Sequence, residues 1–125
     1  MVLHLVEKVN PLAPEEAPKY YASAIHDARV ELDDLATMVA DRCSMRRADV
    51  HGVLVGLMDI IPDQLLEGKI IALGQLGSFY AAVSSDGIEN KEDQSVEMVR
   101  GANIRYRPTK ELSKQLRMLE YTFAS

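Results

Sequence analysis

The chain has 125 residues, 47% apolar and 26% charged, the size and balance of one globular domain and not of a disordered chain. No apolar run approaches the ~18–20 residues of a membrane span, and residues 1–16 lack the basic and apolar regions of a signal peptide, so a cytoplasmic protein without a membrane partner is expected. The net charge of −5 argues against a uniformly basic nucleic-acid binder, and the lone Cys43 excludes an internal disulfide or a cysteine-rich zinc module.

Residues 1–9 are rich in β-formers, and the cluster Pro11, Pro14 and Pro18 then breaks regular structure. Residues 19–25, with paired tyrosines, read as a short strand. From Leu32 the apolar period becomes helical: Leu32, Leu35, Ala36, Val39 and Ala40 share a stripe, with Asp33 and Asp34 in the first turn, where negative charge suits the helix dipole. The stripe ends near Cys43, which is expected to pack as a small hydrophobe, and Ser44 is a candidate cap for the next helix. That helix is predicted over residues 47–66, apolar at Val50, Val53, Leu54, Leu57, Ile61 and Leu65 and stopped by Gly68; Pro62 predicts a kink or a split.

Residues 69–73 and 76–84 read as strands joined by a tight hairpin at Gly74-Gln75, with Phe79 anchoring the second in the core. Gly74 and Gly77 supply the backbone freedom for the turn and for close approach of a partner. Residues 85–101 read as a flexible polar excursion. Residues 102–107 alternate cleanly, Ile104 and Tyr106 on one side and Arg105 and Arg107 on the other. Pro108 ends that strand, Thr109 caps a last helix, and Leu112, Leu116 and Leu119 form its buried stripe.

Charge is distributed unevenly. Residues 99–117 carry Arg100, Arg105, Arg107, Lys110, Lys114 and Arg117 against Glu111 alone, a net +5, whereas residues 84–98 have a net −4. Arg42, Arg46 and Arg47 form a smaller basic cluster between the first two helices. Such blocks are ordinarily solvated faces, and only further evidence makes them a site.

Two stretches supply that evidence. The run Glu67-Gly68-Lys69-Ile70-Ile71-Ala72-Leu73-Gly74-Gln75-Leu76-Gly77-Ser78-Phe79 and the segment Tyr106-Arg107-Pro108-Thr109-Lys110-Glu111-Leu112 resemble the signature turn and the entry into the last helix of the HU/integration host factor family of bacterial histone-like proteins. Val39-Ala40-Asp41-Arg42 and the helix start near Asp49 fall in the same register. The resemblance covers residues 32–119 of a single domain spanning residues 1–125, and residues 1–31 look like the N-terminal extension of a longer HU-related subfamily.

The resemblance implies an α+β fold: a helical hairpin, a three-stranded antiparallel sheet with an extended arm, and a C-terminal helix, intertwined with a second copy. Leu54, Leu57, Phe79, Val83 and Ile104 are more apolar surface than one chain of this plan covers. The resemblance further implies a nucleoid-associated homodimer that holds double-stranded DNA by its phosphates with little sequence preference. Arg100, Arg105, Arg107 and Lys110 would contact phosphate, with Arg46 and Arg47. The Thr109-capped helix start and the turn amides at Gly77 and Ser78 would add uncharged donors.

The sequence departs from the family at the arm. No proline lies between Pro62 and Pro108, so the wedge that kinks DNA is absent, and the tip Asp86-Gly87-Ile88-Glu89-Asn90-Lys91-Glu92-Asp93 is acidic. These features favour an alternative in which the same dimer is a protein-interaction or scaffolding module with little DNA affinity. His4, His26 and His51 are widely separated, no phosphate-binding loop or nucleophile elbow is present, and neither metal, cofactor, small-molecule substrate nor enzyme chemistry is expected.

Overall fold

The computed structural model describes residues 1–125. In chain order it contains β1 (Val2–Lys8), β2 (Lys19–Ile25), α1 (Leu32–Arg42), α2 (Arg47–Leu66), β3 (Ile71–Ala72), β4 (Gly77–Ser85), β5 (Val99–Pro108), α3 (Lys110–Arg117) and β6 (Thr122–Phe123). The strands form two separate three-stranded sheets, β2-β1-β6 and β3-β4-β5.

The helices begin and end for local reasons. Asp34 accepts the Glu31 N–H at 2.9 Å, satisfying a donor at the start of α1. Ser44 does not cap α2, contrary to expectation: the cap position is Arg46 in extended conformation, with no side-chain hydrogen bond, and Asp49 supplies the first-turn negative charge. Gly68 ends α2 at φ 82°, where Gly68 N–H reaches the Leu65 carbonyl and Lys69 N–H the Gln64 carbonyl. This paired closure satisfies carbonyls that the helix end would otherwise leave free, and the left-handed angle is why glycine stands there.

Pro62 does not split α2, which is helical on both sides of it. Proline has no N–H to give the Met58 carbonyl, yet the helix continues past it to Leu65, which is 9% exposed. The start of α1 is fastened to the first turns of α2 by Asp33, whose carboxylate lies 3.2 Å from Arg47 and 3.0 Å from His51 Nδ1. Arg47 also donates to the Thr37 hydroxyl at 3.0 Å.

Further differences from the sequence reading concern the strands. The tight hairpin at Gly74-Gln75 is absent: β3 is only two residues long and reaches β4 through a helical turn over Gly74–Leu76, closed by Leu73 N–H on the Gly77 carbonyl. The excursion is shorter than expected. β4 and β5 pair from Gly77/Pro108 to Ser85/Val99, with a bulge at the far end, leaving residues 86–98 as the loop, itself folded into two short helical turns. β6, unforeseen, adds in parallel to β1, Val2 opposite Thr122 and Leu3 opposite Phe123.

The single chain has almost no interior. Ala36, Val50 and Leu65 are its only buried apolar residues. Phe79 is half-buried, α3 buries none of its residues, and Leu116 is 51% exposed. Cys43 is exposed instead of packed, at the extended residue that ends α1. The accessible surface is 10911 Å², whereas a self-contained protein of this mass exposes about 6,700 Å².

Candidate nucleic-acid interface

The β4–β5 ladder positions the central basic residues. Ser78 is opposite Arg107 and Tyr80 opposite Arg105, so these four share one face of the sheet, while Phe79/Tyr106, Ala81/Ile104 and Val83/Ala102 share the other. The apolar face is anchored by the Phe79 and Tyr106 rings, 4.9 Å apart, and with Pro62, Leu65 and Leu66 of α2 it forms an open apolar groove at Ala81 and Ile104. On the polar face the Arg107 guanidinium lies over the Tyr80 ring, 5.9 Å from its centroid, and both Arg105 and Arg107 are exposed. Lys110 opens α3 immediately after β5.

The two sequence signatures prove to be halves of one construction. Tyr106 donates its hydroxyl to the Leu76 carbonyl at 2.6 Å, and Thr109 donates to the Gln75 carbonyl at 2.7 Å. Thr109 Oγ1 meanwhile accepts the Leu112 N–H at 3.2 Å, capping α3. The helical turn 74–76 and the first turn of α3 are thus tied by two side chains of the Tyr-Arg-Pro-Thr run. Gly77 lies inside the joint: a Cβ there would overlap the Arg107 carbonyl and stand 2.9 Å from Pro108 Cα, at φ 129°. The close approach that requires this glycine is therefore to the chain's own β5. Three hydroxyl- and glycine-specific contacts fix the base of the hairpin, where Arg107 and Lys110 emerge.

The remaining basic residues lie elsewhere. Arg100 is at the bulge of β5 and pairs with Asp86 at 2.8 Å, across the root of the acidic loop. Along the strand it is five residues from Arg105, about 17 Å. Arg47 is engaged with Asp33 and Thr37 in the helical hairpin, and Arg46 is exposed beside it. In the sequence, charge and the family resemblance together put all of these among the expected phosphate contacts. The carboxylate partners of Arg100 and Arg47 are visible only in three dimensions, whereas the strand alternation that separates Arg105 and Arg107 from the apolar face was legible beforehand.

No three His, Cys, Asp or Glu side chains gather as a metal site, and no helix is long and apolar enough to cross a membrane. Residues 2–122 match the HU-HIG family, described as an HU domain fused to a wHTH, Ig or glycine-rich motif. No curated protein matches the chain. Among solved structures, a Bacteroides vulgatus protein proposed to be a bacterial DNA-binding protein is similar over 98% of this chain, with a TM-score of 0.57 and 11% identity. The chain spans 47% of the length of that structure, and at this identity the likeness is one of fold.

Proposed function

The chain belongs to the HU-HIG family of HU domains fused to other modules, and from that premise we propose that two copies intertwine and together hold double-stranded DNA through its phosphate backbone. The observation that carries the binding site is the register Ser78–Arg107 and Tyr80–Arg105, which aims two guanidinium groups from one sheet face beside Lys110 and the capped start of α3. Guanidinium forks suit phosphate oxygens, and the amides of the first α3 turn add donors without charge, whereas Gly77 is buried and Ser78 is paired on both sides within the β3-β4-β5 sheet, so neither is the free turn amide expected from the sequence. None of these groups is placed to read base edges, so recognition is expected to tolerate sequence. Arg46 adds a peripheral positive charge, and Arg100 and Arg47 contribute less, because each already faces a carboxylate.

The dimer is supported by surface. The chain exposes roughly 4,200 Å² beyond what a protein of its mass ordinarily leaves in water. The excess is apolar where a partner would sit: Leu66 is 86% exposed, Ile104 68% and Val83 65%. A two-fold partner covers the same patch on both copies and sets two basic faces on one assembly.

The acidic loop and its ion pair with Arg100 favour the second reading, a dimer that serves as an interaction scaffold with little DNA affinity. A gel-shift titration with random-sequence duplex separates the two. DNA binding predicts a shift at low salt whose log K falls with log salt at a slope of roughly −5, for about six phosphate contacts per dimer. No shift even at low salt, with the dimer intact by sedimentation, would establish the scaffold.

A further inference from the structure

The outer edge of β2 is open. All seven of its residues pair with β1 on one side, whereas on the other no strand and no backbone hydrogen bond meets them. Open edges are usually guarded by proline, charge, bulges or brevity. β5, also an edge, carries Arg100, Arg105, Arg107, Pro108 and a bulge; β6 is two residues long. Between Tyr20 and Ile25, β2 has no such guard.

The sequence of β2 also fits itself. Run antiparallel about Ala22, two copies of Lys19-Tyr20-Tyr21-Ala22-Ser23-Ala24-Ile25 set Tyr20 opposite Ala24 and Tyr21 opposite Ser23, a large side chain against a small one at every off-centre tyrosine. The two Lys19 residues fall at opposite ends, so no like charges meet. One face of the sheet carries Leu3, Leu5, Ala22, Ala24 and Phe123, followed by Tyr20 and Glu7 at one end; Leu5 is 61% and Phe123 57% exposed, and joining two copies would make that face continuous.

We propose that β2 pairs antiparallel with β2 of a second copy, centred on Ala22, to make one six-stranded sheet β6-β1-β2-β2-β1-β6 across a two-fold axis. This contact is separate from the groove at Ala81 and Ile104. If the homodimer proposed above forms through that groove, the β2 contact links one dimer to the next. Two different isologous contacts on each chain either close into a tetramer or continue as an open row of dimers. The row would bring several phosphate-binding faces onto one DNA molecule, or hold two molecules together.

Sedimentation of the full chain across a concentration series tests the pairing. Wild type is expected to pass from dimer to species of twice the dimer mass or more. Ala22→Lys places like charges directly opposite each other on the axis and should weaken that step by at least about tenfold, leaving the dimer. Ala22→Glu should do the same, and mixing the two variants should restore association, which a misfolded strand would not. A wild type that remains a dimer at the highest concentration and that Ala22→Lys leaves a dimer, or an Ala22→Lys protein that associates like wild type, would overturn the proposal. Should the groove dimer itself not form, wild type would stop at a dimer that Ala22→Lys reduces to monomer, so the two failures read differently.

Discussion

The two ends of the β4–β5 hairpin are built from the same ladder and have opposite characters. At the base, Arg105, Arg107 and Lys110 stand free of carboxylate partners on a frame fixed by Tyr106, Thr109 and Gly77. At the far end, Asp86, Glu89, Glu92, Asp93 and Glu97 surround a loop whose nearest arginine, Arg100, is neutralised by Asp86. A hairpin can therefore keep its register while the charge along it reverses, because register is set by side-chain alternation and closure, and charge by what alternation leaves in water. On the function proposed above, anion affinity belongs to the base of the hairpin and not to its tip.

The largest expected effect falls at the base. Arg105→Ala with Arg107→Ala removes about four of six contacts per dimer, so the salt slope should flatten from roughly −5 to roughly −2, and affinity at low salt should drop at least about a hundredfold. An unchanged slope would move the binding face elsewhere. Next come the two glycines of the ladder. Gly77→Ala forces a Cβ into β5 at a left-handed angle and should destabilise the protein by about 1–3 kcal/mol in urea titrations. Gly101→Ala, with open space around it and no such angle, should cost well under half of that. Equal costs would mean that the base is no better fixed than the arm.

Thr109→Ala removes both the α3 cap and the tie to Gln75, and should lower stability by about 1 kcal/mol. The smallest effect belongs to the tip. Neutralising Glu89, Glu92 and Asp93 to their amides should raise DNA affinity by less than about tenfold at low salt and by nothing measurable once screening shortens the reach of exposed charge. A loss of binding instead would show that the loop grips DNA.

Much of this fold was legible because its elements carry periodic signals. β2 and α2 have the predicted limits, and β4 and β5 alternate as their sequences do. What was not legible depended on partners distant in sequence. Two residues, Thr122 and Phe123, have no pattern of their own and form a strand only because β1 is beside them. Gly74-Gln75 resembles a hairpin turn until the hydroxyls of Tyr106 and Thr109, about thirty residues away, are seen to hold it as a helical turn. The site showed the same divide. Arg105 and Arg107 follow from alternation, but the engagement of Arg47 and Arg100 by Asp33 and Asp86 cannot be read from a tally of charge. Cys43 was misjudged because a thiol is apolar enough to pack yet nothing at the α1–α2 turn covers it.

The parallel pairing of β6 with β1 bears on the order of folding. Thr122 and Leu3 belong to adjacent strands although nearly the whole chain separates them, and the Met1 amino group donates to the Glu120 carbonyl at 2.9 Å. A contact of that sequence separation carries the largest loop-closure entropy in the molecule until the intervening helices and hairpin have shortened the path. Within these residues β1 and β2 are made before the helices and the β4–β5 hairpin and can pair at once, but the third strand of their sheet is made after them. The β2-β1-β6 sheet is therefore begun before the β3-β4-β5 sheet and completed after it, and in the interval β1 presents a second open edge besides that of β2.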